Sequence, residues 1–347
     1  MTGKERLRKI LRHQKADRLS WTALVDSNTL NHLPENLRGN GGLDFYRYLG
    51  CDIFLLNGWG LPHELRSPEW KWPDFVRQEY RQDGSKTIRD WQTRGGVLTA
   101  IWDRGHPVKY PVDSRETIRA YYEMWEGMEF VWRDDSMEYK KIEEKIGDDG
   151  VMTRFWGPSA IPMLLENDMG VENFYYFLFD YHDEMDALIK LIHSKMLKAF
   201  ECLANGPWES VTLCENTSTY YISPEIYGKY NMPHQRDFVE LMKKNNKTAI
   251  LHMCGHVRDI LHLIKETGCD GIHALTPPPT GNTPSLRPPS TARTPAPPRT
   301  LWWARETWAM RGWTIRRSPT GGWIISSRAK ATASSRKCPK SATSPWA

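Results

Sequence analysis

His252 and Cys254 stand two positions apart in "LHMCGH" (251–256), after an apolar run and before a charged helical pattern. Residues i and i+2 of a β-strand leave the same face, so the pair would aim an imidazole and a thiol at one end of a strand. That is part of a zinc site, since a catalytic zinc takes three protein ligands and keeps one position open. "TLCENTS" (212–218) offers Cys214 and Glu215 as a third ligand from another strand end. An isolated H-x-C is more often a packed histidine beside a small core thiol. Here the motif ends a strong strand and precedes Gly255, which lets the chain turn sharply. Asp26, Asp52, Asn57, Asn216 and His273 also fall at strand ends, and several polar groups on one rim carry more weight than one.

The elements that must position these groups are legible as apolar patterns. "LSWTALVD" (19–26), "CDIFLLNG" (51–58), "GVMTRFWG" (150–157), "SVTLCE" (210–215), "KTAILHMC" (247–254) and "CDGIHAL" (269–275) read as buried strands. Between them lie helical patterns. The clearest covers 183–205, with Met185, Leu188, Ile189, Ile192, Met196, Leu197, Phe200 and Leu203 at three- and four-residue steps. "SPEIYGKY" (223–230) opens a helix, with Ser223 as its cap and Pro224 in its first position. Short strands alternating with helices imply parallel βα units and favour a (β/α)8 TIM-type barrel over an open doubly wound sheet. In such a barrel the active site lies at the C-terminal ends of the strands. Residues 76–103 instead alternate polar and apolar around Asp83-Gly84 and Gly95-Gly96, the mark of a β-meander inserted beside the core.

Composition sets the outer limits. The chain of 347 residues is long enough for a barrel with insertions. It has no run of roughly 18 apolar residues able to span a bilayer. The N-terminal "MTGKERLRKILRHQKADR" has no continuous apolar core, so no secretory signal is expected. Six cysteines form no CxxC pair, which favours reduced thiols and a cytoplasmic protein. The net charge of +5 is carried by residues 283–347, where 12 Lys and Arg face a single acid, Glu306. Residues 1–282 hold 35 basic and 41 acidic side chains, so no nucleic-acid partner is expected of the body.

The division is therefore 1–282, a barrel domain incomplete at its C-terminus, and 283–347, a basic Pro/Arg/Trp-rich tail. The tail has no Val, Phe, Tyr, Asp, Asn, Gln or His but six of the sixteen tryptophans. It reads as a disordered segment or as a GC-rich gene translated out of frame. On either reading the last βα units of the barrel are missing or scrambled.

Residues 250–283, "ILHMCGHVRDILHLIKETGCDGIHALTPPPTGNT", closely resemble the uroporphyrinogen decarboxylase superfamily, which includes corrinoid-dependent methyltransferases. "KERLRKILRHQKADR" (4–18), "WGPSAIPML" (156–164) and "ENTSTYYISPEIYGKYNMPHQRDF" (215–238) support the resemblance, which spans roughly residues 3–283. The decarboxylases carry an arginine pair in an "RQAGRY"-type motif, whereas the corresponding stretch here is "DSNTLNHLPENLRG" (26–39). Losing bidentate carboxylate clamps would be costly for a polycarboxylate substrate.

The resemblance therefore implies the methyltransferase branch, in which an H-x-C zinc motif is completed by a cysteine near the C-terminus. Only Cys338 stands at a comparable distance. It implies methyl transfer between a corrinoid, carried by a partner protein, and a small thiol or similar nucleophile held by Zn2+. His252 and Cys254 would be metal ligands, and Glu215 an extra ligand or proton acceptor. Asp52, with Asn57, would orient the acceptor, so Glu215 and Asp52 are the catalytic candidates. The alternatives are decarboxylation of uroporphyrinogen, which needs no metal, and an inactive truncated member of the family.

Overall fold

The computed structural model describes residues 1–57 and 65–283, together with the backbone of two strands further on. The chain divides into two units, residues 1–303 and 304–347. The described strands of the larger unit are β1 (Ile53–Asn57), β2 (Glu69–Lys71), β3 (Arg77–Asp83), β4 (Lys86–Thr93), β5 (Gly96–Asp103), β6 (His106–Lys109), β7 (Glu129–Val131), β8 (Gly150–Trp156), β9 (Ser210–Cys214), β10 (Thr248–His252) and β11 (Gly271–His273). β1, β8, β9, β10 and β11 form one parallel sheet in that order. β1 and β8 are buried along their whole length, as strands covered on both faces must be.

One face of the sheet, with Met152, Trp156, Leu213 and Leu251, shares a cluster with residues of the His182–Asn205 and Met232–Lys244 helices. Of the apolar residues predicted for the first helix, all but Leu197 are buried, and Leu197 packs partly buried against the same cluster. The other face carries Phe54, Leu56, Val151, Phe155 and Ile250, which cluster with Leu7 and Leu11 of the N-terminal helix Gly3–Leu11. A capping box of Thr2 and Glu5 starts that helix.

Between β1 and β8 the chain leaves the sheet. β3, β4, β5 and β6 form a four-stranded antiparallel meander, with Gly84 at φ 58° in its first turn. The meander runs to Lys109, six residues beyond the expected 76–103 stretch. Among the described residues the parallel sheet has five strands, not the eight of a closed barrel. Residues 19–26, expected as a strand, form none. Their bonds to the chain around β1 include Asp52 N–H to the Trp21 carbonyl and Phe54 N–H to Thr22 Oγ1, so a side chain takes a place that a ladder would give to backbone. No helix among the described residues is long and apolar enough to cross a membrane. In the smaller unit, β12 (Trp313–Arg317) and β13 (Trp323–Ser327) pair antiparallel with Ile315 opposite Ile325. The rest of the 283–347 tail after Thr283, including Cys338, lies outside the described residues.

Asp52 precedes β1 and thus sits at the N-terminal end of the sheet, away from the rim where β9 and β10 deliver their last residues. It is 4% exposed and binds Arg6 Nη1 at 2.5 Å, Arg18 Nη2 at 2.9 Å and the Ser20 hydroxyl at 2.6 Å. Arg6 also grips Asp17. This network ties the N-terminal helix to the sheet, and the catalytic role expected of Asp52 is replaced by a structural one. Asp52→Ala takes one of two carboxylates from the buried Arg6 guanidinium and removes the acceptor of Arg18 and Ser20, so urea unfolding is expected to show a loss of about 3 kcal/mol.

Candidate functional site

The C-terminal ends of β9 and β10 lie side by side, with Cys214 in register with His252. Two close backbone approaches hold the loops there. Gly157, after β8, has φ 134°, and a Cβ on it would fall 2.7 Å from the Cys214 carbonyl oxygen. A Cβ on Gly255 would fall 2.3 Å from the Thr217 carbonyl oxygen. Neither position tolerates a side chain without moving the rim.

Asn216, in the left-handed region at φ 37°, is the hub of the site. Its Oδ1 accepts from the Cys254 thiol at 3.2 Å and from the Cys214 thiol at 3.5 Å. Its Nδ2 donates to Glu166 Oε2 at 3.3 Å, and its carbonyl accepts from the Tyr221 hydroxyl. Burial pushes both thiols up in pKa, with the Glu166 carboxylate adding to the shift, so both are neutral near pH 7. Burial also pushes Glu166 up to about 7, despite its bond from Asn216. A carboxyl poised there can take a proton from an incoming nucleophile at neutral pH.

His252 and Cys254 have different partners. His252 Nδ1 lies 2.6 Å from His273 Nδ1, one of the two carrying the shared proton, and its ring meets Phe155 edge-on at 5.4 Å. Burial lowers His252 to about 4 and His273 to about 3, the latter also through the neighbouring imidazole. Both rings are neutral at physiological pH.

Glu215 has no exposed surface and makes its hydrogen bonds to other partners. Its carboxylate accepts from Ser159 N–H at 3.1 Å, the Ser159 hydroxyl at 2.9 Å and Gln235 Nε2 at 2.6 Å. Those bonds fasten the loop after β8 and the Met232–Lys244 helix to the end of β9. In this arrangement Glu215 is a brace, and its oxygens are taken. Asn57, at the C-terminal end of β1, is buried, and its carbonyl accepts from Arg154 Nη1 at 3.3 Å.

Among the described residues no three of His, Cys, Asp and Glu stand close enough to hold a metal ion. The ligand set of His252, Cys254 and Glu215 thus does not fit a zinc ion as arranged. The sequence reading missed Glu166, which lies two residues past the quoted "WGPSAIPML" turn. Its only signal was a carboxylate directly after the apolar run "PMLL" (162–165).

Residues 157–276 match the family model described as uroporphyrinogen decarboxylase (URO-D). Over 135 residues the chain is 24% identical to the methylcobamide:CoM methyltransferase MtbA of Methanosarcina acetivorans, and 25% identical to that of Methanosarcina mazei. Each alignment covers 38% of this chain and 39% of the relative, so the chain spans about two fifths of the length of the curated relatives it matches. A solved methyltransferase from Methanosarcina mazei superimposes with a TM-score of 0.46 at 15% identity, over 78% of this chain and 75% of that one. Over the stretch that builds β9, β10 and β11 the chain thus resembles the uroporphyrinogen decarboxylase superfamily, on its methylcobamide:CoM methyltransferase side.

Proposed function

We propose that this protein is a methyltransferase of the uroporphyrinogen decarboxylase superfamily, moving a methyl group between a corrinoid carried by a partner protein and a small thiol. The observation that carries the reading is the convergence of Cys214, Cys254 and Glu166 on Asn216 at the C-terminal rim of a parallel sheet. We read the five parallel strands as part of a TIM-type barrel. A thiol is a poor nucleophile until it loses its proton, and Glu166, at about 7, can accept it. Asn216 holds Glu166 in place through a single hydrogen bond to one carboxyl oxygen. The neutral Cys214 and Cys254 thiols give the rim a soft, weakly polar lining suited to sulfur. Zinc, the metal this branch implies, would find His252 and Cys254 as ligands. The described residues supply no third, so no step is routed through it.

The test is absorbance-monitored loss of methylcobalamin in the presence of coenzyme M. Glu166→Gln is expected to lower the rate by about 10² and to remove the pH dependence near 7. Release of carbon dioxide from uroporphyrinogen, without methylcobalamin turnover, would transfer the protein to the decarboxylase side. Elemental analysis addresses the metal separately. If His252 and Cys254 hold zinc, Cys254→Ser reduces bound zinc severalfold, and unchanged metal content refutes the ligand assignment.

A further inference from the structure

A cavity of about 530 Å³ lies between the meander, β2, the Arg115–Glu126 helix and the turn over residues 164–168. Its volume suits a small organic molecule. Trp70, Trp72, Trp91 and Trp125 line it. The Trp70 ring stands 5.6 Å from both Trp72 and Trp125, edge-on to the latter. These walls favour a flat ring.

The polar groups select its charge. Arg89 lies over the Trp91 ring with its guanidinium carbon 4.2 Å from the centroid. Its Nη2 donates to Gln78 at 2.7 Å and its buried Nε has no acceptor, while Asp168 on the same cavity attracts it electrostatically without a direct hydrogen bond. The Trp91 indole N–H is likewise buried without an acceptor. Buried donors, one of them cationic, are costly to leave unmatched. Asp168 shares the cavity and accepts from the Tyr121 hydroxyl at 2.6 Å. Burial pushes it up to about 7, so below that pH it is largely neutral and does not repel an anion.

We propose that this cavity binds a planar aromatic carboxylate, its ring between the tryptophans and its anionic end on Arg89 Nε and the Trp91 N–H. Binding is separate from the methyl-transfer reading, and the cavity takes its ligand whatever the rim catalyses.

Benzoate, benzamide and benzylamine share a ring and differ in charge, which makes them the probes. In calorimetric titrations of the full chain at pH 6, benzoate is expected to bind saturably and at least tenfold more tightly than either of the others. Arg89→Met is expected to bring benzoate down to the benzamide level, and Trp91→Phe, which keeps the wall but removes the N–H, to weaken benzoate about threefold. No saturable heat from benzoate, equal or tighter binding of benzylamine, or full benzoate affinity in folded Arg89→Met would each overturn the proposal. The three-ligand comparison on the unaltered protein decides the matter even if a variant fails to fold.

Discussion

Glu215→Ala is expected to destabilise the fold by about 4 kcal/mol, more than any other single change considered. The substitution removes the acceptor of three buried donors, two on Ser159 and one on Gln235. Each donor stranded away from water costs about 1–3 kcal/mol, and nothing polar replaces the carboxylate. Glu215→Gln separates charge from shape, because it keeps one acceptor oxygen and cannot ionise. Burial raises Glu215 to about 7 from an ordinary 4.5, so the folded state holds a proton that the unfolded state gives up. The corresponding stability is fully present below about 4.5 and is lost as pH rises through about 7. Relative to Glu215→Gln, the native protein should lose about 3 kcal/mol between pH 4.5 and 8. Urea midpoints at those two values check it. A constant difference between the proteins would show that Glu215 stays ionised in the fold.

His234→Leu is expected to stabilise the protein in acid. His234 packs face to face with His193, ring centroids 3.6 Å apart, between the His182–Asn205 and Met232–Lys244 helices. Its Nδ1 is buried without a partner. Burial, and secondarily the neighbouring imidazole, lowers it to about 3 from 6.5. The unfolded chain protonates this histidine as pH falls below 6.5 and the folded chain does not, so stability drains away until about pH 3. Leucine has no proton to gain. The advantage of His234→Leu should grow by about 1.4 kcal/mol per pH unit below 6.5, reaching roughly 3 kcal/mol at pH 4.5. Parallel acid losses in the two proteins would sink the idea.

The sequence and the structure part company for identifiable physical reasons. Buried helices and strands declare themselves because burial forces a period: Met185 through Leu203 read as a helix and are one. The rim thiols were legible because strand alternation links His252 to Cys254 and the register links them to Cys214. Direction was the weak point. "CDIFLLNG" has a polar residue at either end, and alternation alone does not say which end meets the active rim. Asp52 lies at the start of β1 and joins the arginine network. Glu166 was invisible because its value depends on a neighbour 50 residues away, Asn216, turned toward it by a left-handed backbone.

The N-terminal helix carries a consequence for how the protein is made. Leu7 and Leu11 share their cluster with Ile250, about 240 residues later in the chain. A ribosome adding about 5–20 residues per second exposes that apolar stripe tens of seconds before its last partner emerges. The nascent chain should therefore call on a holding chaperone during synthesis, and translation in a chaperone-depleted extract should yield mostly insoluble product.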